Sequence, residues 1–487
     1  MTGPEIWLAA SLAIPLAGAL MIALSGDWPN FRDAISLLSA SGLFAANVML
    51  LLSTDHAGTL ALVPFLPGAP LVLKIEPLGL MFGLLASGLW IVTTLYSIGY
   101  MRANNEANQT RFFACFALAL ASTMGVAHGG NLITLFVFYE ALSLTTYPLV
   151  THHGTPEARR AGRLYLGLLV GASIALFLFA LLWTWAVAGT LDFRSGGILA
   201  DKASAGVLSV LLLLFVFGVA KAAVMPLHRW LPAAMVAPAP VSALLHAVAV
   251  VKAGVFTLLK IAVYIFGLDL LATLDARDIV LAMTGFTILA ASIVALREDN
   301  LKRRLAYSTV SQLSYIVMAT IVASPFAVAG AGAHLVSHAF GKITLFFCAG
   351  AIYTATHKEK VSELNGLGQR MPWTMGAFAL GSLAVIGLPP TAGFLSKWTM
   401  FQGAIAAGDY ALPIVLGLGT LLGAGYLLPV IYRAFFLPPA RSGLAAADEA
   451  PLPMRVALLV TAAGGIVLFL MPDLLTVLPL EAIRGRP

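Results

Sequence analysis

Long apolar segments separated by short polar connections make up almost the whole of this chain. A helix needs about 20 apolar residues to cross the hydrocarbon core of a bilayer, and we find about fourteen such segments. They are residues 5–25, 32–53, 77–99, 112–128, 131–151, 164–189, 206–225, 239–266, 279–296, 306–322, 327–356, 373–400, 411–436 and 454–478. Because a membrane β-barrel uses much shorter segments of about 10 alternating residues, we expect no spanning strands. The pattern predicts an all-α integral membrane protein, with residues 1–487 in a single transmembrane domain.

The composition agrees with this pattern and excludes several classes of protein. Hydrophobic residues make up 60% of the 487 positions and charged residues 10%, against about 25% charged residues in a soluble domain. A soluble, disordered, disulfide-rich or nucleic-acid-binding protein needs far more polar surface than this, so these classes are excluded. Cys115 and Cys348 lie in apolar segments without a CxxC partner, so we expect buried, inert thiols and no redox centre.

The basic residues are distributed unevenly between the two sets of connections. When the N-terminus is placed outside, most Lys and Arg residues of the connections lie on the inner side, including Lys302, Arg303 and Arg304. Cytoplasmic connections of membrane proteins carry such an excess of positive charge. An even number of spans then places both termini on the outer side.

A small set of ionisable residues lies inside the apolar segments, away from the connections. The one acid is Glu140, and the bases are Lys221, Lys252, Lys260, Lys342 and Lys397. A charge at the centre of a spanning helix costs about 2.5–3.5 kcal/mol, so such residues mark ion or proton paths by default. Lysine can lose its proton when it is buried, whereas arginine keeps it. The set therefore favours proton transfer over a fixed positive field.

The seventh segment is interrupted by prolines directly after its lysine. Pro226 and Pro232 follow Lys221, and a broken helix at membrane depth is tolerated only where protein or water satisfies the freed backbone groups. Glu140, in the fifth segment, needs a partner, so we predict an ion pair between Glu140 and Lys221. Two alternatives are a pair that only holds helices together, and a Lys221 side chain that extends to the interface.

The eighth segment carries a histidine and two lysines. His246 and Lys252 are six residues apart, so on a regular helix they diverge by about 120° and face different neighbours. A distortion near Gly254 would change this. For Lys260, two turns further outward, we prefer a side chain that extends to the interface. His228, near the inner surface, is a secondary candidate for proton transfer or an ordinary polar residue.

The eleventh segment places His334, His338 and Lys342 at positions i, i+4 and i+8, so they form one stripe about 12 Å long. Two histidines one turn apart cannot take opposite axial positions of one haem, and no acid or cysteine joins them. We therefore expect neither a cofactor nor a metal. Histidine exchanges protons near neutral pH, so a hydrated proton wire facing inward to Lys252 and Lys397 fits the stripe. A packed row of hydrogen-bonded histidines is the alternative.

The twelfth segment is a second broken helix, in which Lys397 follows the Pro389-Pro390 pair. Interrupted helices at corresponding positions suggest two inverted repeats, here residues 112–265 and 279–436. Residues 1–111 would then form spans 1–3, and residues 454–478 span 14. As the last embedded base along the chain, Lys397 is predicted to be the exit-side proton carrier.

The sequence around these residues resembles the signature of antiporter-like subunits. Such subunits occur in respiratory complex I, membrane-bound hydrogenases and Mrp-type cation/proton antiporters. The resemblance is carried by residues 220–232, 237–246, 251–254, 337–342 and 393–398. It covers nearly the whole chain and implies fourteen helices, with inverted repeats formed by spans 4–8 and 9–13.

The resemblance also implies roles for individual residues. Glu140 resembles the span-5 acid that pairs with the span-7 lysine, here Lys221. The other implied roles are a central relay at His246 and Lys252, a link through span 11 at His334 and His338, and a terminal lysine at Lys397. The chain resembles the Mrp D-type subunit in size, and the larger Mrp A-type and complex I subunits in motif spelling.

The resemblance implies a proton-translocating subunit of a multisubunit Na⁺/H⁺ antiporter. The alternative is the proton-pumping arm of an NADH:quinone oxidoreductase or of a hydrogenase-like complex, whose redox chemistry would occur in other subunits. Either protein would bind no cofactor itself and would assemble with other membrane subunits. It would lie in a bacterial inner membrane, with both termini on the periplasmic side.

Overall fold

The computed structural model describes residues 3–26, 28–53, 58–438 and 449–484, apart from the side chains of Leu245 and His246. The helices of the first half are α1 (Gly3–Leu24), α2 (Pro29–Leu52), α3 (Pro77–Ala103), α4 (Gln109–His128), α5 (Leu132–Val150), α6 (Pro156–Ala172), α7 (Leu178–Ala188), α8 (Ala205–Gly218), α9 (Trp230–Ala233), α10 (Ala239–Ala243), α11 (Val250–Ile261) and α12 (Leu268–Ala272). Those of the second half are α13 (Ala276–Arg297), α14 (Leu301–Ile321), α15 (Pro325–Thr356), α16 (Leu367–Arg370), α17 (Pro372–Ile386), α18 (Ala392–Ala406), α19 (Ala411–Phe436), α20 (Leu452–Leu470) and α21 (Asp473–Arg484).

Every predicted span has a helical counterpart, although not all are single long helices. Within the described ranges, 10 helices are long and apolar enough to cross a membrane, one of them the continuous run Pro156–Ala188. The predicted spans at 206–225, 239–266 and 373–400 are divided into shorter pieces. Helix α14 is continuous but carries many hydroxyl and amide side chains. The membrane fold predicted from the apolar pattern is confirmed.

A short β-hairpin, which the apolar pattern did not predict, lies between α2 and α3. Strand β1 (Thr59–Leu66) pairs antiparallel with β2 (Ala69–Lys74), and Gly68 takes a positive φ of 79° at the turn. The hairpin is joined to the bundle because the amide of Gly130 donates to the Val72 carbonyl at 2.9 Å. It marks one end of the molecule, which we call the hairpin end.

Helix α15 forms the centre of the second half. Of its most apolar 18-residue stretch, 94% is buried inside the protein. It packs against α14, α17, α18, α20 and α21, and against α10 of the first half. A helix that is apolar on all sides is expected in such a position. The histidines and the lysine of α15, His334, His338 and Lys342, are buried and held away from lipid.

Both predicted helix breaks are present, but the first begins before Lys221 and not after it. Helix α8 ends at Gly218, and the chain continues as a 3₁₀ turn at Ala220–Ala222. Helix α17 ends at Ile386, and α18 begins at Ala392. A third irregularity is a π-helical turn at Leu244–Val248 between α10 and α11, ahead of Gly254 and not at it. The boundaries of the two inverted repeats stay a prediction.

Candidate proton-transfer site

The two halves of the protein meet at a contact between a lysine and a histidine. Lys252, on α11, is 0% exposed, and its Nζ lies 2.6 Å from Nδ1 of His338 on α15. At this distance the two bases are hydrogen-bonded in a site that excludes solvent. A proton held by Lys252 therefore has a direct route into the second half.

The row continues along α15 to the next histidine. The rings of His338 and His334 are stacked with centroids 5.8 Å apart. Nδ1 of His334 lies 2.9 Å from Oγ of Ser396, and its Nε2 lies 3.1 Å from Oε1 of Gln312. The stripe predicted on α15 thus faces the protein interior, with both ring nitrogens of His334 hydrogen-bonded to neighbouring helices.

Lys397 follows Ser396 and closes the row. Its Nζ donates to the carbonyls of Val385 at 3.2 Å and Ile386 at 2.8 Å, and lies 3.3 Å from Oγ1 of Thr420. The last carbonyls of a helix have no intrahelical partner, and the C-terminus of a helix attracts a cation. The break after α17 therefore leaves free carbonyl groups that bind the Lys397 side-chain nitrogen.

A glycine allows α18 to approach this break. A Cβ atom at Gly393 would overlap the carbonyl of Ala384. Only a residue without a side chain fits there, so Gly393 brings the first turn of α18, and with it Lys397, against the end of α17.

Lys342 belongs to the same stripe but points to a different partner. Its Nζ donates to the carbonyl of Leu305 on α14 at 3.0 Å, and the side chain is 0% exposed. It interacts electrostatically with Lys252. Lys342 therefore lies beside the row from Lys252 to Lys397, as a charged neighbour of its first member.

In the first half, Lys221 is held by helix α5 but not by the predicted acid. Its Nζ donates to the carbonyl of Tyr139 at 2.6 Å and to Oγ of Ser143 at 2.7 Å, and lies 3.2 Å from the Tyr139 ring centroid. The direct Glu140–Lys221 ion pair that we predicted is wrong for this conformation. Tyr139 and Ser143 share one face of α5, whereas Glu140 is rotated by about 100°.

Glu140 nevertheless remains in the electrostatic reach of Lys221. The two groups interact without a contact, and the Ser173 hydroxyl neighbours the carboxylate. Oε1 of Glu140 is buried and has no hydrogen-bond partner within the described ranges. The carboxylate is thus free to accept a proton or to close on the lysine.

The structure does not place either of the remaining two histidine candidates, His246 and His228, in the row. The backbone of His246 lies in the π-helical turn Leu244–Val248, but its side chain lies outside the described part of the structure. His228 is half-buried, and its ring lies 6.3 Å from that of Tyr307 on α14. The structure does not bring His228 to the row that contains Lys252.

Some polar members of the site were not found from the sequence. Ser396 and Gln312 bind His334, and the Tyr426 hydroxyl is hydrogen-bonded to Gln312 and lies 2.9 Å from Oγ of Ser308. Hydroxyl and amide residues are common in membrane helices, so sequence alone did not distinguish these. The unusual polarity of α14 was the available signal.

The expectation that the Lys260 side chain extends to the membrane interface is wrong. This side chain is 0% exposed, and its Nζ lies 2.8 Å from Oε2 of Glu76. Glu76 precedes the third span and was counted with a connection, although it is 6% exposed. A lysine within an apolar segment needs an acidic partner when it is buried, and this requirement was the signal in the sequence that could have led to Glu76.

At the end opposite the hairpin, a cavity of about 370 Å³ opens between the two halves. Glu106 and His153 line it, and His153 Nε2 lies 3.4 Å from Oε2 of Glu106. The hydrogen bond to Glu106 raises the pKa of His153, whereas burial lowers the pKa of His152 to about 4. Lys302 and the Val236 carbonyl are the other groups that act on His153.

We expect the Glu106–His153 contact to stabilise the protein only at low pH. Its contribution is complete below the unfolded histidine pKa of about 6.5 and is lost as pH rises through the raised folded pKa of His153. Glu106→Gln should therefore lower the unfolding temperature below pH 6.5 and leave it unchanged well above that pH. Thermal unfolding of the purified protein across pH measures this, with Glu157→Gln, an exposed acid of the same cavity, as control. A deficit independent of pH would contradict the assignment.

Comparison with known proteins shows the family to which the sequence is similar. The sequence profile described as NADH:quinone oxidoreductase/Mrp antiporter, TM, matches residues 129–423. The chain is 33% identical over 475 residues to NADH-quinone oxidoreductase subunit L of Mycobacterium tuberculosis (strain ATCC 25618 / H37Rv), covering 93% of this chain and 73% of the relative. It is 32% identical over 463 residues to NADH-quinone oxidoreductase subunit N of Desulforudis audaxviator (strain MP104C), covering 92% and 89%.

A solved structure shares the fold. A chain in the Mrp complex from Dietzia sp. DQ12-45-1b superposes with a TM-score of 0.87 at 20% sequence identity, covering 99% of this chain and 97% of that one. The two chains therefore share one fold. This chain belongs to the NADH:quinone oxidoreductase/Mrp antiporter transmembrane family and is a multi-pass, antiporter-like membrane subunit.

Proposed function

We propose that this protein is the proton-translocating subunit of a multisubunit monovalent cation/proton antiporter of the Mrp type. The observation that carries the proposal is the buried row from Lys252 through His338 and His334 to Lys397. Its first contact, 2.6 Å between two titratable nitrogens, crosses from one half of the protein to the other. A structural ion pair would instead join a base to an acid.

The proton would reach this row from the first half. Lys221 lies on the 3₁₀ turn against which α11 packs, since a Cβ atom at Gly254 would overlap the backbone of Lys221. Lys252 lies two residues before this contact, on the helix that packs against the turn of Lys221. When Glu140 closes on Lys221 it favours the protonated lysine, and when it withdraws the proton is released toward Lys252.

The proton would leave the row at the second break. His334 passes it through the Ser396 hydroxyl, which also lies 3.0 Å from Oγ of Ser337. Lys397 then takes it on the far side of α18, where backbone carbonyls hold the ammonium. Because the break already exposes these carbonyls, water can reach Lys397 without the loss of further helix hydrogen bonds.

A second candidate function is the proton-pumping arm of a redox-driven complex. It is supported by the relatives compared above, both of which are described as subunits of an NADH-quinone oxidoreductase. The buried row would serve either function in the same way. The difference is what drives the proton: a counter-moving cation or an electron-transfer reaction in partner subunits.

The test is proton flux in everted membrane vesicles that contain the complete complex. For an antiporter, a preformed pH gradient should collapse when Na⁺ or K⁺ is added, and choline should have no effect. For a redox-driven pump, an electron donor should create the gradient and the alkali cation should not collapse it. If both activities persist after deletion of this subunit, both candidate functions are contradicted.

A further inference from the structure

A second buried polar cluster lies outside the row, at the hairpin end. The ammonium of Lys260 lies 2.8 Å from Oε2 of Glu76 and donates to the carbonyl of Gly129 at 2.7 Å. The ring centroid of Phe193 lies 4.3 Å from the same Nζ. We call these four residues the hairpin-end cluster. A carboxylate, a carbonyl and an aromatic face thus enclose one positive charge.

The cluster has more acceptor atoms than one ammonium group uses. Glu76 is 6% exposed, and its Oε1 has no hydrogen-bond partner among the residues described. Thr257 is 0% exposed, lies one turn before Lys260 on α11, and its hydroxyl oxygen also lacks a partner there. Residues three apart on a helix are neighbours. Buried oxygens without a donor are costly, so spare ones in a charged cage point to a ligand that uses them.

We propose that the hairpin-end cluster is an exchange site for a monovalent alkali cation. When no cation is bound, the Lys260 ammonium occupies this site. The inference rests on the proposed antiport function. Carboxylate, carbonyl and hydroxyl oxygens are the ligands that hard cations prefer. One N–H bond of the ammonium breaks, the proton passes to bulk water, and the neutral amine yields its place to the incoming cation. One proton leaves for each cation that arrives, so the net charge of the cluster does not change.

A buried histidine adjoins the cluster. His128 precedes Gly129, is 0% exposed and interacts electrostatically with Lys260. Its Nε2 lies 3.0 Å from Oδ1 of Asn47, and its Nδ1 has no hydrogen-bond partner in the described part of the chain. Besides Glu76 and His128, the charged group that acts on Lys260 is Lys74 on β2.

The cluster is also connected to the proton row. Lys252 and Lys260 lie on the same helix, α11, eight residues and therefore about 12 Å apart. Replacement of the Lys260 ammonium by a cation that arrives or leaves would shift the field at Lys252. Such a link would couple cation exchange at one end of α11 to proton release at the other.

Cation binding to the purified intact complex tests the site. The probe is the unfolding temperature, titrated with NaCl, KCl and choline chloride. A ligand that binds only the folded state raises the unfolding temperature, so the shift reports binding. Lys260→Ala removes the ammonium group that competes for the site, so the apparent affinity for Na⁺ or K⁺ should tighten about tenfold or more. Glu76→Gln should abolish the alkali-specific shift. The exposed Lys202→Ala and Asp192→Asn are charge-matched controls. Equal affinities in wild type and Lys260→Ala, or a shift retained by Glu76→Gln, would overturn the proposal.

The wild-type protein provides a test that does not depend on the folding of a variant. Because one proton is displaced per cation, the apparent affinity should rise with pH, by about tenfold per pH unit wherever Lys260 is protonated in the cation-free protein. Affinity independent of pH would overturn the exchange. Lys252→Met separates the two proposals: it should stop proton flux but keep cation binding. Normal flux in that variant would refute the proton row and leave the hairpin-end cluster standing.

Discussion

Replacing Lys397 by alanine should reduce proton translocation by about a hundredfold or more, the range seen when a positioned proton-transfer group is lost. Lys397→Arg should fail almost as completely, because arginine keeps its proton. Lys397→Glu should retain part of the activity, since a carboxyl group can also cycle between protonated states. The reason is the position of Lys397: it is the last titratable group of the row, seated on the carbonyls of Val385 and Ile386.

The measurement is dye-monitored proton flux in vesicles, with assembly of the complex followed on native gels. Lys202, an exposed lysine in a connection, provides the matched alanine and arginine controls, and both should be active. Normal flux in Lys397→Arg would show that a fixed positive charge suffices. Lys397 would then be an electrostatic element and not a carrier.

Lys252→Met and His338→Leu should each abolish proton flux, and the double variant should be no worse than either single one. The two side chains share one contact of 2.6 Å, so removal of either interrupts the same path. Stability should respond differently from flux. Because a buried amine is replaced by an apolar side chain of similar size, Lys252→Met should leave the unfolding temperature unchanged or raise it.

Thr344→Val is the matched control for this pair. Thr344 is a buried polar residue of α15, but it contacts Thr461 at 2.9 Å and lies outside the proton row. Its replacement should leave the flux intact. A double variant of Lys252 and His338 that loses far more activity than either single variant would demonstrate two independent paths. Residual wild-type flux in either single variant would remove that residue from the path.

The sequence by itself determined the features that depend on one segment at a time. Span number and membrane class follow from the length and hydropathy of each apolar run. The second helix break follows from the Pro389-Pro390 pair, because a ring without an N–H group cannot continue the helix. Pro226 marks the first break only approximately, since α8 already ends at Gly218. The i, i+4, i+8 spacing of His334, His338 and Lys342 fixes a common face through helix geometry alone. The β-hairpin was missed because its strands, of 8 and 6 residues, are apolar segments too short to be counted as spans.

Only the tertiary structure decided which of these side chains meet. Lys252 and His338 are 86 residues apart, and their contact depends on how α11 and α15 rotate when they pack. A rotation of about 100° separates Tyr139 from its neighbour Glu140, and it gave Lys221 a carbonyl and a hydroxyl instead of an acid. Packing likewise buried Glu76, which borders a connection in the sequence, beside Lys260. Local pattern places a charge at a depth in the membrane, but its partner is set by the mutual orientation of helices distant in sequence.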